Sequence, residues 1–357
     1  MNPQPIKTVV MYPRPHPDNI VALFLLQEFG EGCFPGIKQA KLEFWNMLPP
    51  DKTADELEQN GYLLIDMGGG KFDHHHDQHT DDKTTCASTL VARYLNIDKL
   101  PELRKLLEYV RRDDLEGRGI VSKDIIDRAF GLSAIIMNLN RDYPDHPEYV
   151  VEVVQRIVLA HYHEEYRRKV LMPKEWEELQ KNNLAKQFNI PMARSSIKVV
   201  MVKTDSKSII GYLRAVGTVR ADIVVQQQSS GHTNIVTRQI KPRFNLISTI
   251  SALRQMEGRK KGLNLSDVDS QQLIKPGRMD GVEEWYFDTA ANTLQNGGCS
   301  SENIHPTRLS LAEIEMLLSK TLPMGEPVNN GVSRQRSSNA GGGQNRNTRQ
   351  RGRIRHR

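Results

Sequence analysis

The chain has 357 residues, 38% hydrophobic and 26% charged, which is long enough for a sizeable core and, by ordinary domain size, about two domains. No apolar run approaches the roughly 18 residues of a membrane span, and residues 1–7 lack the charged-then-apolar build of a signal peptide, so no membrane partner and a cytoplasmic location are expected. The net charge of +6 belongs to the end of the chain: residues 327–357 hold eight arginines and no Asp, Glu or Lys, which leaves the rest at −2.

In chain order, residues 8–12 read as a buried strand and 19–29 as a helix with Asp18 or Asn19 at its N-cap. Residues 41–45 and 63–67 read as further strands, with a helix over 54–59 between them. Residues 84–95, 101–112 and 123–139 have helical periodicity. This alternation predicts an α/β domain with a doubly wound, mainly parallel sheet over residues 1–145. Residues 147–183 form a long charged helical stretch, expected to break around Leu171, Met172 and Pro173, so 146–195 reads as a helical connector. Beyond it the rhythm turns to strands over 197–202, 209–216, 221–227 and 234–239. A helix (245–256), a strand-like run (284–287) and a last helix (310–320) follow, making a smaller α+β domain over 196–326. The tail, 327–357, is rich in Gly, Asn, Gln, Ser and Arg and almost free of apolar residues, so it is expected to be disordered. Cys33, Cys86 and Cys299 lie far apart with no paired spacing and read as free thiols.

The chemistry-bearing stretch runs from Leu63 to Asp77. Asp66 stands where an apolar strand ends, the edge at which open α/β sheets bind ligands. Gly68, Gly69 and Gly70 follow, residues that let backbone N–H groups approach a phosphate. Asp73, His74, His75, His76 and Asp77 then offer carboxylates and imidazoles, a mixture suited to Mn²⁺, Zn²⁺ or Fe. Taken alone, the histidine run also reads as an exposed polar loop. His16 and Asp18 follow the first strand and can converge on the same edge, although His16 between two prolines also reads as a rigid turn residue. Asp113 and Asp114 are a third carboxylate source near a helix C-terminus, where acidic residues are electrostatically disfavoured. Phosphodiester hydrolysis near neutral pH is well served by two divalent ions roughly 3.5–4 Å apart, which activate water and neutralise phosphoryl oxygens.

A strand ending in Asp66, glycines, and then Asp73-His74-His75 resembles the DHH phosphoesterase superfamily, most of all its Myg-type exonuclease branch. The run Ala87 to Val91 sits where that branch starts a small-residue helix, and the resemblance covers roughly residues 7–130. It implies His16 and Asp18 as first-motif ligands, Asp66 as a bridging ligand, His74 as a ligand oriented by Asp73, His75 on the scissile phosphate, and Asp113 or Asp114 as the last ligand. One departure stands out: the first strand ends in Met11, Tyr12, Pro13 and Arg14, without the family's histidine, which leaves one metal position short of a ligand unless His76 or Asp77 supplies it.

The expected function is therefore a metal-dependent phosphodiesterase, with two Mn²⁺ (or Mg²⁺ or another divalent ion), acting on RNA, short oligonucleotides or single-stranded DNA. A phosphatase of small nucleotides, cyclic dinucleotides or pyrophosphate is the alternative, and a catalytically degenerate nucleic-acid-binding protein a third. The arginine-rich tail is expected to bind nucleic acid electrostatically. Arg238, Lys241 and Arg243, and Gly297 with Gly298 after Asn296, are candidate substrate contacts, or equally a solvated edge and a turn. The neighbourhood of His232 reads likewise. His161 and Glu165 share a helix face and read as a solvated pair, and His79 reads as exposed. The oligomeric state is left open.

Overall fold

The computed structural model describes residues 4–75, 84–117, 124–193, 195–240, 243–296 and 303–324. The expectations placed on His76, Asp77, His79, Lys241, Gly297, Gly298, Cys299 and the tail from Pro327 lie outside the described residues. The chain is α/β and divides into two compact units, Met1–Lys186 with Val202–Arg220, and Gln187–Met201 with Ala221–Arg357. The long helical stretch expected as a connector falls within the first unit. Among the described residues no helix is long and apolar enough to cross a membrane.

The first unit is built on a three-stranded parallel sheet, β1 (Thr8–Met11), β2 (Lys41–Phe44) and β3 (Tyr62–Leu64), in the order β2-β1-β3. Its side chains alternate between faces, as the strand period requires. Val9, Met11, Leu63 and Ile65 join a large core with α1 (Pro17–Phe29), while Val10, Leu64 and Met67 pack with Leu57 of α2 (Ala54–Gln59). Helices therefore cover both faces. α1 is buried throughout from Ile20 to Leu26, as expected of a helix apolar all round. It packs against α3 (Ala87–Tyr94) and α4 (Arg104–Glu116), and, after α5 (Ile125–Ala129), against α6 (Leu132–Asp142) and α7 (Pro147–Tyr166).

The break expected near Leu171 is not a break. A π-helical turn, Arg167–Leu171, carries α7 directly into α8 (Met172–Lys181). Pro173 follows the π-helical turn within this continuous helix, and the wider turn accommodates its ring and missing N–H.

The second unit contains a six-stranded sheet in the order β4-β5-β6-β7-β9-β8. Its strands are β4 (Ala185–Pro191), β5 (Ser196–Lys203), β6 (Ile223–Gln227), β7 (Thr233–Thr237), β8 (Tyr286–Asp288) and β9 (Thr293–Gln295), and the pairs β6–β7, β7–β9 and β8–β9 are antiparallel. α10 (Ile247–Lys260), α11 (Ser270–Leu273) and α12 (Leu311–Thr321) complete it, following the short α9 (Ile209–Arg214), which belongs to the first unit. The strand expected over 209–216 is corrected by α9. Ile209 and Leu213 are its buried pair, four residues apart as a helix requires, whereas Val216 is 84% exposed. β4 escaped notice because it is an edge strand with only Ile190 buried.

Candidate metal centre

Because β1 and β3 run parallel and in register, with Val10 opposite Leu64, the loops that leave them emerge at one edge. The first loop ends at His16, the residue before α1, with Pro17 opening the helix where its fixed φ is already helical. Asn140 of α6 ties that loop down by donating to the Pro15 carbonyl at 2.9 Å. The second loop places Asp66 in the left-handed region, φ 58°, which Asp and Asn tolerate better than other L-residues, and its N–H donates to Phe72 O at 3.1 Å. Gly68 and Gly69 then both turn at positive φ.

Four side chains close a ring of alternating carboxylate and imidazole. His16 Nε2 lies 3.3 Å from Asp66 Oδ2, and His74 Nε2 lies 3.3 Å from Asp66 Oδ1. On the other side, His74 Nε2 is 3.2 Å from Asp114 Oδ2, and His16 Nδ1 is 4.0 Å from Asp114 Oδ1. His75, 66% exposed, stands at the rim with Nε2 3.7 Å from Asp66 Oδ1. Asp18 completes a further grouping with His74 and Asp114, whose ligand atoms lie within 4.8 Å of one another, as do those of Asp66, His74 and His75.

The decisive feature is what these atoms lack. Asp66 Oδ1, His74 Nε2 and Asp114 Oδ2 are buried and have no hydrogen-bond partner, although His74 Nε2 is within 3.3 Å of both oxygens. Buried polar atoms are normally satisfied, and an orphan costs about 1–3 kcal/mol. Metal–ligand bonds of roughly 2.0–2.2 Å place adjacent ligands about 3 Å apart, so this oxygen–nitrogen set fits a divalent cation.

The remaining bonds hold the ring in place. Asn19, fully buried, donates to Asp66 Oδ2 at 2.9 Å and accepts from the His16 N–H at 3.3 Å. Asp18 accepts from the N–H groups of Ala87 (2.7 Å) and Ser88 (2.9 Å) and from the Ser88 hydroxyl, so a carboxylate sits against the N-terminus of α3. Asp73 accepts from Gly69 N at 2.8 Å and His75 N at 2.9 Å; these bonds fix the loop backbone, where orientation of the His74 ring was expected. The Gly69 N–H is thus engaged by Asp73, in place of the phosphate contact expected of it, and Gly68 is required for space, since a Cβ there would stand 2.2 Å from Leu48 Cδ1.

Negative charge crowds the site. Burial, then the charge of Asp18, raises the Asp114 carboxyl above its usual range, against the opposing pull of His74 and His16. Burial by itself would lower His16, but the hydrogen bond to Asp66 and the charges of Asp18, Asp66 and Asp114 outweigh it, and the net shift is upward. Tyr12 is raised by burial and by Asp73 and Asp66, which places its hydroxyl in the same field.

His16, Asp18, Asp66, His74 and Asp114 come together, with His75 at their edge. Asp114, not Asp113, faces the ring; the Asp113 charge acts on Tyr109, whose hydroxyl is pushed up to about 12 by burial and that charge. Sequence reasoning missed Asn19 and Ser88 as site residues, because a helix-capping Asn and a small-residue helix start both have sufficient local explanations. Arg238 and Arg243 belong to the second unit, where Arg238 pairs with Asp222 at 2.7 Å and Arg243 donates to Thr289 O at 3.0 Å. Asn296 is buried and bonded to four backbone groups, so it is a structural clasp. His232 bonds to Ser230 and to Ile304 O. The solvated His161–Glu165 pair is corrected: Glu165 is buried and pairs with Lys105 at 2.7 Å.

No family model matches the chain, and no curated protein matches it. Among solved structures, an uncharacterized protein from Helicobacter pylori G27 overlaps 90% of this chain and 100% of its own, with 10% identity and a TM-score of 0.22. An overlap that slight describes neither the fold nor the site.

Proposed function

We propose that the chain is a divalent-metal-dependent phosphoesterase of the DHH type that hydrolyses phosphodiesters of RNA, short oligonucleotides or single-stranded DNA. The observation that carries this reading is the set of buried, partnerless ligand atoms on Asp66, His74 and Asp114. Asp66 turns one oxygen toward His16 and Asn19 and the other toward His74 and His75, the disposition a carboxylate shared by two cations needs. His16, Asp18, Asp66, His74 and Asp114 would hold the metal, with Mn²⁺ the proposed ion among the Mn²⁺, Zn²⁺ or Fe that this donor set suits. When bound, divalent cations activate water and neutralise phosphoryl oxygens.

The protein's own groups do the rest. Asn19 fixes Asp66, and Ser88 with the α3 N-terminus fixes Asp18, so the carboxylates do not reorganise when substrate arrives. His75, exposed at the rim with its backbone held by Asp73, would donate to a phosphoryl oxygen. The absence of a histidine from Met11 to Arg14, where the resemblance implies one, favours a second reading in which the site binds metal without turnover. The arginine-rich tail would bring nucleic acid close.

The test is a Mn²⁺ activity panel of single-stranded RNA, single-stranded DNA, dinucleotides, cyclic dinucleotides and pyrophosphate. Asp66→Asn keeps the left-handed backbone and the buried volume, so it should lower hydrolysis by roughly a hundredfold or more with folding intact. Full activity in that variant rules out the metal assignment. Tight Mn²⁺ binding by calorimetry without hydrolysis of any substrate leaves the non-catalytic reading.

A further inference from the structure

The charge of the chain is unevenly placed. Outside the arginine-rich tail the formal charge is −2. Yet three hollows in the first unit, of about 630, 390 and 320 Å³, are lined together by ten basic and four acidic side chains, a net of +6. The hollows adjoin: the first and second share Arg104, the second and third share Lys169, and the first and third share Lys105. They form one groove along α4, the π-helical turn and the segment leading into α9.

Some of these basic groups have carboxylate partners: Lys105 is bound to Glu165. Lys99, Arg104, Lys169 and Lys207 differ. All four are exposed, and among the described residues none has an ion pair. Cations that line one surface without ion pairs repel one another, and a polyanion relieves that repulsion while releasing its own counterions.

α4 contributes Arg104, Lys105, Glu108, Arg111 and Arg112 to the groove, side chains turned away from the helix face that carries Val110 and Asp114. We infer that this groove is a second binding surface, for the phosphate backbone of a single-stranded nucleic acid; the binding does not rest on the proposed phosphoesterase reading. A dinucleotide has too few phosphates to engage the four cations together.

The test compares the full chain with K99Q/R104Q/K169Q/K207Q, whose four sites are exposed, circular dichroism and thermal melting confirming the fold. Anisotropy of labelled single-stranded oligonucleotides of two and twelve nucleotides is followed in EDTA across a salt series. The tail is present in both proteins, so the difference reports the groove. The dependence of log affinity on log salt for the twelve-mer should become shallower by about 3 for four lost phosphate contacts, with the dinucleotide unaffected. K169R/K207R should bind like the parent. An unchanged slope in the fourfold variant overturns the inference, and so does an equal loss for the dinucleotide or inorganic phosphate, which would make the groove a small-anion pocket. If no phosphodiester is hydrolysed but the slope still falls, the catalytic reading fails and the groove stands.

Discussion

Both units bury charge, but they arrange it differently. In the second unit Arg254, fully buried on α10, donates to the carbonyls of Leu273 (3.0 Å), Lys275 (2.9 Å), Trp285 (3.2 Å) and Gly277. On the same helix Glu257 accepts from Trp285 Nε1 at 3.1 Å, Arg308 N at 2.9 Å and the Thr307 hydroxyl. These groups staple loops that contain little regular structure. In the first unit Asp66, His74 and Asp114 point buried atoms at one another, with His74 Nε2 3.3 Å from Asp66 Oδ1 and 3.2 Å from Asp114 Oδ2. Arg254 leaves its buried Nε without a partner, but the ends of its guanidinium are tied to backbone carbonyls. In the first unit the unpartnered atoms belong to three residues and converge on one point, a grouping that could hold a metal ion.

Substitutions that strip the two networks should therefore behave differently. The largest effect is expected for Arg254→Met, which removes the donor to several buried carbonyls; urea unfolding should show a loss of about 3–5 kcal/mol, with Mn²⁺ affinity unchanged. A loss below about 1 kcal/mol would mean that water takes over those carbonyls. Next comes the response to metal. Mn²⁺ at a hundred times its Kd should stabilise the parent by about 2.7 kcal/mol, an increment that EDTA removes and that Asp66→Asn never shows. Equal stabilisation of parent and variant would place the cation elsewhere.

Asn19→Ala sharpens the contrast further. It deletes the buried donor to Asp66, and calorimetry should record a tenfold to hundredfold weaker Mn²⁺ affinity. Unchanged affinity would make Asn19 a helix cap and nothing more. The smallest effect belongs to an exposed pair in the second unit. Glu313 is held at about 2 by Lys260 and by the N–H and hydroxyl of Ser310. A depressed carboxyl contributes stability above its unfolded value of roughly 4.3, and the contribution disappears as pH falls toward 2. Glu313→Gln should cost under about 1 kcal/mol at pH 7, with the two proteins converging in acid; a gap that persists at pH 2 would assign the effect to packing.

How much of this was legible beforehand differs between the same two regions. The first three strands, α1 and α2 could be read within a few residues, since each is an apolar run bounded by turn residues. α9 could not: Ile209 to Val216 carries β-branched residues that suit a strand, and only the burial of Ile209 with Leu213 makes it a helix. β4 is an edge strand with one buried side chain, so its sequence carries almost no period. Arg254 was invisible as a core residue because an arginine reads as surface until the carbonyls around it are known.

By itself the sequence determined which ligand types exist and where along the chain they fall: Asp66 after an apolar run, His74 and His75 eight and nine residues beyond it, His16 and Asp18 after the first strand. Local composition suffices for that, because strands, turns and glycine bends are short-range choices. Which of Asp113 and Asp114 faces the ring, that Asp73 holds backbone in place of an imidazole, and that Asn19 and Ser88 belong to the site were decided only in three dimensions. These depend on helix rotation and on contacts between residues about 50 to 70 positions apart, which no local pattern encodes.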